Sequence, residues 1–281
     1  ADLVPWQLVN TESLNTSHGL SATWLGHATV LLNSAGVRVL TDPIFSERAS
    51  PVSWLGPKRL TALPVDPASL PFVDVVVISH NHYDHLDLPS LHILNTQVGG
   101  PPLFIVPLGN AALLQSEGIT NVKELDWWNS TQIKDGLRIT LVPTQHWSKR
   151  QLLGDRNEAL WGGYVLQHQG RQAFFAGDTG YSKDFADIQA RFGAMDLAMI
   201  PIGAYAPRDV MQRQHINPAE AVRIHQDVQA RLSLGIHWGT FILTDEAIQQ
   251  PPLDLAVALQ KTGVAAAQFP HWAIGETRRL P

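Results

Sequence analysis

A run of six residues, HNHYDH over 80–85, contains four side chains of the types that bind metal ions. They are His80, His82, Asp84 and His85. The run follows VDVVVIS over 73–79, which is rich in β-branched residues and predicts a buried strand. A strand that ends in a tight loop can turn such side chains into one cleft, so the pattern H-x-H-x-D-H predicts a metal site. A polar loop with histidines for solubility is the alternative, but it gives no reason for histidines to cluster after a strand.

Three more metal-binding side chains follow apolar runs elsewhere in the chain. His146 follows a strand predicted over 137–142, Asp178 follows AFFAG over 173–177, and His237 follows LSLGI over 232–236. Sites in α/β proteins are built at the carboxyl ends of strands, and the glycine before Asp178 lets the backbone approach closely. We therefore expect these side chains to meet the 80–85 run in one site.

The seven residues divide into two metal sites. We expect three ligands for each ion and one bridging aspartate: His80, His82 and His146 for the first ion, Asp84, His85 and His237 for the second, and Asp178 as the bridge. Imidazole and carboxylate without thiolate favour two zinc ions, with iron and manganese left open. Two ions about 3.5–4 Å apart can share a water and lower its pKa to near neutrality. Asp42 and Thr179 are expected either to orient ligand imidazoles or to form plain turns.

Composition narrows the class of protein. The chain has 281 residues, of which 44% are hydrophobic and 16% charged, as in an ordinary globular protein with a substantial core. No run approaches the roughly 18 apolar residues of a membrane-spanning helix. The net charge of −5 argues against a nucleic-acid partner. The absence of cysteine excludes disulfides, thiolate zinc sites and a cysteine nucleophile.

The pattern of apolar runs predicts two sets of strands, with helices covering both, in a single large domain over 21–281. Strands are expected over 22–25, 29–32, 37–40, 73–79, 103–106, 122–125, 137–142, 161–167, 171–176, 197–200 and 232–236, and at the C-terminus. Helices are expected over 89–96, 110–117, 183–192, 218–230 and 253–262. The clearest helix start is NPAE over 217–220, which has the residues of a capping box. Residues 1–20 are expected to form an N-terminal arm, and 42–71 a long loop of the kind that is often functional.

The ligand pattern resembles that of the metallo-β-lactamase superfamily. Several longer runs narrow the resemblance to the family of N-acyl-phosphatidylethanolamine-hydrolysing phospholipases D. They are TWLGHAT (23–29), TDPIF (41–45), GPKR (56–59), SHNHYDHLD (79–87), ELDWW (124–128), QHW (145–147), FAGDTGY (175–181), IGAYAPR (202–208) and the stretch 215–240. The resemblance covers nearly the whole chain beyond about residue 20.

This resemblance implies an α+β fold, a four-layer αββα sandwich with two zinc ions in a cleft at one end of the strands. The family's ligands fall on the seven residues already chosen, and its catalytic histidine falls on His215. The implied reaction releases N-acylethanolamine from an N-acylated phospholipid, by attack of a metal-bridging hydroxide on phosphorus. Asp178 and His215 are then the residues assigned to catalysis. His215 would bind the phosphate or protonate the departing oxygen, a role that suits a group titrating near pH 7.

The same interpretation implies an anionic phospholipid or other phosphodiester as substrate. Arg48, Lys58, Arg59 and Arg208 are expected either to meet its phosphate or to be solvated surface residues. Trp54 and Leu55 lie among these basic residues, so the long loop could rest on a bilayer, although loop aromatics more often pack in the core. Oligomeric state stays open, with a homodimer as one option.

Localisation also stays open at this stage. We expect a soluble or peripheral membrane protein, with the cytoplasm favoured. The chain begins Ala1-Asp2-Leu3, so we expect that an N-terminal segment is missing and could carry a signal.

Other functions remain compatible with the same seven ligands. A lactonase or a β-lactamase would use the metal pair on a cyclic ester or amide, and a broad phosphodiesterase on soluble diesters. A nuclease should add a basic groove, and a non-catalytic binding protein should have lost a ligand. His27 and His271 are candidates to line the pocket, and their assignment is left open.

Overall fold

The computed structural model describes residues 4–15 and 18–280. Its strands are β1 (Leu20–Gly26), β2 (Thr29–Ser34), β3 (Val37–Thr41), β4 (Val75–Val77), β5 (Leu103–Pro107), β6 (Val122–Leu125), β7 (Ser130–Gln132), β8 (Arg138–Val142), β9 (Gly163–His168), β10 (Arg171–Phe175), β11 (Leu197–Pro201), β12 (Leu232–Ile236) and β13 (Thr277–Leu280). Its α-helices are α1 (Leu88–Asn95), α2 (Ala111–Ser116), α3 (Asp184–Phe192), α4 (Arg208–Met211), α5 (Pro218–Asp227) and α6 (Gln250–Thr262). Short 3₁₀ turns lie at Thr11–Leu14, Pro67–Ser69 and Lys134–Gly136.

The strands form two mixed sheets. The first has the order β13-β1-β2-β3-β4-β5-β6 and the second the order β12-β11-β10-β9-β8-β7. In the first sheet the pairs from β3 to β6 are parallel and the others antiparallel. In the second, β10, β11 and β12 are parallel, and β7 to β10 form antiparallel pairs. Parallel strands of one sheet end at one edge, so the loops that follow them can build a common site.

Alternating side chains of the first sheet belong to two different cores. Val75 and Val77 pack in the main core with residues of the second sheet, whereas Val76 packs in a second core with α1 and α2. This alternation follows from the two-residue period of a strand. The apolar faces of α3, α5 and α6 join the main core. The predicted α+β fold, two sheets between layers of helices, is therefore confirmed.

Most predicted elements lie within a few residues of the observed ones. Strands β6 and β12 have the predicted bounds, and β9 and β10 form the expected hairpin. Its two turn residues, Gln169 and Gly170, both have positive φ, 48° and 74°, which the tightest hairpin turns require. The short elements β7 and α4 were not predicted, and α6 begins at Gln250, three residues earlier than expected. An edge strand of three polar residues such as β7 has no hydrophobic pattern to reveal it.

The division into an arm and a domain at residue 20 stays a prediction. Of the predicted arm, residues 4–15 contact the domain: Val4 packs in the main core and Leu14 in the second. The Gln7 amide donates to the Ile274 carbonyl at 2.8 Å. Among the described helices, none combines the length and the apolar character needed to cross a bilayer.

The start of α5 contains the predicted capping box. Asn217 Oδ1 accepts from the Glu220 amide at 2.9 Å, and Glu220 Oε2 accepts from the Asn217 amide at 2.9 Å. Pro218 occupies the first turn, where its missing amide costs no hydrogen bond. The box fixes the chain two residues after His215, and therefore supports the loop that carries this histidine.

Replacing this cap should destabilise the protein measurably. For Asn217→Ala we expect a loss of about 1 kcal/mol, because one helix-end amide loses its acceptor. The corresponding fall in Tm is about 2–4 °C for a chain of this size, measured by thermal unfolding. Gln249→Ala is the matched control, because Gln249 precedes α6 without a side-chain cap bond. Equal effects of the two changes would contradict the prediction.

Candidate metal centre

The seven predicted ligands come together at one edge of the sandwich. The loops after β4, β8, β10 and β12 carry, in that order, the 80–85 run, His146, Asp178 and His237. Gly177 makes the approach possible: its φ is +60°, and a Cβ there would lie 2.6 Å from Ser79 Cβ. The end of β10, before Asp178, can therefore approach the end of β4, before His80. This is the close backbone approach that the sequence predicted from a glycine at this position.

The first predicted ligand group forms a compact cluster. His80 Nε2 lies 2.8 Å from His82 Nδ1, and His146 Nε2 lies 3.4 Å from the same His82 atom. Trp147 packs its ring edge to face against His82, with 4.4 Å between ring centroids. These three histidines thus direct ring nitrogens at one point, with a tryptophan on the outer side.

The second predicted group is equally close. His85 Nε2 lies 3.2 Å from His237 Nε2 and 3.1 Å from Asp84 Oδ2. His237 Nε2 lies 3.3 Å from the same Asp84 oxygen. Both histidines are buried, and Asp84 keeps a small exposed fraction.

Asp178 lies between the two groups. Its Oδ2 is 3.1 Å from His85 Nε2, 3.7 Å from His146 Nε2 and 3.9 Å from His80 Nε2. Its Oδ1 is 3.1 Å from His237 Nε2. The carboxylate therefore reaches both groups with its two oxygens, the arrangement that a bridging ligand needs.

The residues fit a pair of small divalent cations. At zinc–ligand distances near 2.0–2.1 Å, two donors of a tetrahedral site lie about 3.3 Å apart. The donor separations in the second group are 3.1–3.3 Å. Within the described residues, Asp178 Oδ1, which faces His237 Nε2, is buried without a hydrogen-bond partner. A set of imidazole nitrogen and carboxylate oxygen donors at this spacing suits zinc, iron or manganese.

Hydrogen bonds on the far side of the rings direct Nε2 into the cluster. Asp42, fully buried, accepts from His85 Nδ1 at 2.6 Å and from Ser79 Oγ at 2.6 Å. Because the Ser79 hydroxyl donates to Asp42, its oxygen is free to accept from His80 Nδ1 at 2.9 Å. On losing a proton to an incoming cation, His85 would present an unprotonated Nε2, as neutral His80 does, the form that binds metals. Asp42, one of the two residues predicted to orient imidazoles, therefore contacts the His85 ring directly and the His80 ring through Ser79.

Thr179 has a different place. Its hydroxyl accepts from the Gln145 amide at 3.0 Å and donates to the Gly180 carbonyl at 2.6 Å, so it holds the segment before His146 and contacts no ligand ring. His146 Nδ1 instead donates to the Gln214 carbonyl at 2.9 Å.

The cluster attracts positive charge. Burial alone would raise the pKa of Asp178 and of Asp84, but the neighbouring His237 and His85 outweigh it and hold both pKa values well below the usual range. Burial alone would lower the pKa of His237, but Asp178 and Asp84 outweigh it and raise the pKa to about 9. Since metals compete with protons for imidazole nitrogen, cation binding here should release protons.

His215 lies at the edge of the cluster. Its Nδ1 is 4.0 Å from Asp178 Oδ2, and its ring contacts that of His146 at 5.2 Å between centroids. Burial lowers its pKa to about 4, below the near-neutral value expected from the sequence. Arg208 Nη1 donates to the His215 carbonyl at 2.8 Å and pairs with Glu220, so this arginine positions His215.

The other predicted residues of the long loop divide into two groups. Arg48 and Arg59 donate to backbone carbonyls of their own loop, at distances down to 2.6 Å. Lys58, Trp54 and Leu55 are exposed on that loop.

His27 and His271, left open by the sequence, are now separated. His27 lies in the centre, with Nε2 2.9 Å from Asp84 Oδ2, whereas His271 is exposed beyond α6. Burial lowers the pKa of His27 to about 3. The run TWLGHAT over 23–29 contained His27 but gave no ligand spacing that would reveal it.

Comparisons with known proteins agree with this architecture. A family model described as a beta-lactamase superfamily domain matches residues 37–238. The chain is 42% identical over 247 residues, 85% of its length, to N-acyl-phosphatidylethanolamine-hydrolyzing phospholipase D 1 of Caenorhabditis elegans, of which it covers 69%. It is 43% identical over 235 residues, 82% of its length, to the mitochondrial N-acyl-phosphatidylethanolamine-hydrolyzing phospholipase D of Saccharomyces cerevisiae, of which it covers 49%. The solved structure of a metallo hydrolase from Ignicoccus hospitalis has a TM-score of 0.67 at 20% identity, over 92% of this chain and 97% of that one.

A glycine beside His237 offers a steric test of the centre. A Cβ at Gly203 would lie 2.2 Å from the His237 carbonyl oxygen. We expect Gly203→Ala to displace His237 and reduce both bound metal and kcat/KM, the latter about 100-fold for a displacement near 1 Å. Gly235→Ala is the control, since the three atoms nearest to its Cβ would all belong to the Ile202 side chain, at 2.7–3.4 Å, and none to the backbone of a proposed ligand. Normal metal content and turnover in the Gly203 variant would contradict this role of the glycine.

Proposed function

Because the chain belongs to the metallo-β-lactamase superfamily, and within it to the family of N-acyl-phosphatidylethanolamine-hydrolysing phospholipases D, we propose that it releases N-acylethanolamine from an N-acylated phospholipid. Its class, a metal-dependent hydrolase of this family, follows from the 42–43% identity to relatives of that name. The reaction and the metal, two zinc ions, are the proposal. The observation that carries it is the convergence of seven predicted ligands, with Asp178 reaching both groups.

The residues of the centre would divide the work as follows. His80, His82 and His146 would hold one ion, Asp84, His85 and His237 the other, and Asp178 both. Such a pair supplies a nucleophilic water of lowered pKa and neutralises charge on phosphoryl oxygens. Asp42, with Ser79, keeps two of the rings oriented.

His215 is suited to the leaving-group side of the centre. It is neutral in the free protein because burial lowers its pKa to about 4. A bound phosphodiester anion would raise that pKa, since a nearby negative charge favours the protonated ring. We assign His215 to binding the phosphate or to protonating the departing oxygen.

Exposed apolar side chains on several loops of the same edge support a lipid substrate. Trp54 is 73% and Leu55 60% exposed in the loop after β3, and Leu152 is 90% and Leu153 84% exposed in the loop after β8. Ile242, after β12, is also exposed. Side chains of this kind can insert into a bilayer while nearby basic residues meet anionic headgroups.

We call these exposed side chains the apolar rim, and hydrogen bonds hold the loops that carry them to neighbouring loops. The Leu60 amide donates to the Thr240 carbonyl at 2.8 Å, which joins the loops after β3 and β12. Gln145 Nε2 donates to the Arg213 carbonyl at 2.8 Å, which joins the loops after β8 and β11. Because the loops after β3, β8 and β12 also carry Asp42, His146 and His237, a substrate held partly in a membrane by the exposed side chains could reach the centre.

The decisive experiment pairs elemental analysis with a substrate panel. We expect two equivalents of zinc per chain and the highest kcat/KM on N-acyl phospholipid micelles. The same preparation is assayed on a soluble aryl phosphodiester, a lactone and nitrocefin. Lipid turnover no better than the soluble diester would favour a broad phosphodiesterase. Preference for the lactone or nitrocefin would favour the corresponding hydrolase, and iron or manganese in place of zinc would correct the metal.

His215→Ala should reduce turnover without loss of metal. The expected fall in kcat is about 10²–10⁴-fold, the usual contribution of a general acid or base. His92→Ala is the control, because His92 is an exposed histidine paired with Glu117 on the surface. Metal content is measured for each variant. Unchanged turnover with intact metal would remove His215 from the mechanism.

The apolar rim should contribute to binding of lipid vesicles and not to the hydrolysis of a soluble substrate. We expect the double change Trp54→Ala, Leu55→Ala to weaken binding to vesicles that contain phosphatidic acid, on the order of tenfold or more, because apolar area that inserts is lost. Turnover of the soluble aryl phosphodiester should be unchanged. Val98→Ala removes an even more exposed apolar residue, 96% exposed, that precedes β5 at the other end of the strands, and should have no effect. Unaltered vesicle binding in the double variant would contradict docking through this loop.

A further inference from the structure

We propose that His27 is a positioning residue, which holds the Asp84 carboxylate and the His237 ring in place for one ion of the pair. The inference rests on the proposed metal pair. His27 is not one of the seven predicted ligands, and it lies after β1, a strand that contributes no other residue to the centre.

The first contact is a hydrogen bond from the imidazole to the carboxylate. His27 Nε2 lies 2.9 Å from Asp84 Oδ2. An ionised carboxylate only accepts hydrogen bonds, so Nε2 must be the donor. The bond fixes the oxygen that also faces His85 and His237, at 3.1 and 3.3 Å. Without this donor, Asp84 could rotate about its side-chain torsions.

The second contact is with His237. The two rings are in contact, with 4.2 Å between centroids and a tilt of 41° between their planes. The His237 amide also donates to the His27 carbonyl at 3.0 Å. His27 thus touches two proposed ligands of the same ion, one through its ring nitrogen and the other through both its ring and its backbone.

The backbone of His27 is itself fixed. Its amide donates to the Thr240 hydroxyl oxygen at 2.8 Å, and its carbonyl accepts from Trp24 Nε1 at 2.9 Å. Its φ is +50°, a left-handed conformation that histidine and asparagine adopt more readily than most residues. The side chain is 1% exposed, so the ring has no alternative position in solvent.

Two other roles are compatible with burial alone. His27 could merely fill space beside Trp24 and His237, or it could bind the ion itself through Nε2. If His27 only fills space, its Nε2 need not donate a hydrogen bond. If His27 binds the ion through Nε2, it must give up the hydrogen bond to Asp84. The three roles predict different behaviour for amide side chains of different length.

Asparagine and glutamine separate these roles. A glutamine amide nitrogen reaches roughly where Nε2 lies and can restore the donor, whereas that of asparagine ends near the position of Nδ1. Asparagine tolerates the left-handed backbone better than glutamine. We predict that glutamine preserves zinc affinity better than asparagine. Backbone strain alone would favour asparagine, so it cannot produce this order.

The test measures zinc affinity of purified protein by competition with a chromophoric chelator, together with zinc content after dialysis. We expect His27→Asn to bind one of its two zinc equivalents about 10–100-fold more weakly, as for other residues that orient ligands. His27→Gln should remain close to wild type. Thermal unfolding of the metal-free variants shows whether folding is affected independently of zinc.

His225→Asn is the matched control. His225 is likewise buried, donates or accepts at 2.8 Å with Ser233, and stacks on Phe269, but it lies on α5 outside the clusters of possible ligands found in the described residues. Its replacement should leave both zinc equivalents unchanged.

The outcomes distinguish this inference from its premise. Zinc affinity at the wild-type level in His27→Asn, or an equal loss of affinity in both His27 variants, would overturn the positioning role. If the wild-type protein still bound two zinc equivalents, the proposal of a metal pair would stand. Wild-type protein that binds no zinc would overturn the metal pair, and the role of His27 with it.

Discussion

The centre depends on one electrostatic constraint: imidazole nitrogens and carboxylate oxygens face one another at about hydrogen-bond distance in a buried place. Such atoms repel unless positive charge lies between them. In the free protein protons on the histidines meet this need, since the raised pKa of His237, about 9, and the depressed pKa of Asp178 both reflect mutual pairing. A pair of divalent cations would replace these protons, and the spacing of the donors matches that exchange.

The fold meets this constraint with strand ends and with a second set of buried groups. Parallel strands in each sheet end at one edge, so loops distant in sequence deliver ligands to the same place. Burial of Asp42 raises the pKa of its carboxyl, and the bonds from His85 and Ser79 offset only part of this cost. Removing these partners would leave a buried charge unpaired, so the groups around the proposed ligands matter for stability as well as for orientation.

The sequence predicted which side chains converge in the centre better than it predicted what holds them there. The run over 80–85 and the three residues His146, Asp178 and His237 after other apolar strands are visible because metal chemistry restricts residue types, and because strand ends have a recognisable hydrophobic pattern. The bonds from Ser79 and Arg208 are not visible, since any serine or arginine in a loop looks the same before the chain folds. His27 was only a candidate for the same reason: its partner, Asp84, is 57 positions away. The short β7 and α4 depend on pairing and on loop packing, which leave no periodic pattern.

Substrate selection must come from the loops, because the donor set alone suits many hydrolytic reactions. The same two ions could activate water for attack on a lactam, a lactone or a phosphodiester, so nothing in the seven ligands distinguishes these. What differs is the apolar rim, whose exposed Trp54 and Leu152 lie on the loops that also carry Asp42 and His146 of the polar, charged centre. An apolar rim would bind the acyl chains of a lipid and leave its phosphate at the level of the ions. A soluble diester would gain nothing from that rim, and an enzyme that preferred one would have no use for large apolar side chains held in water.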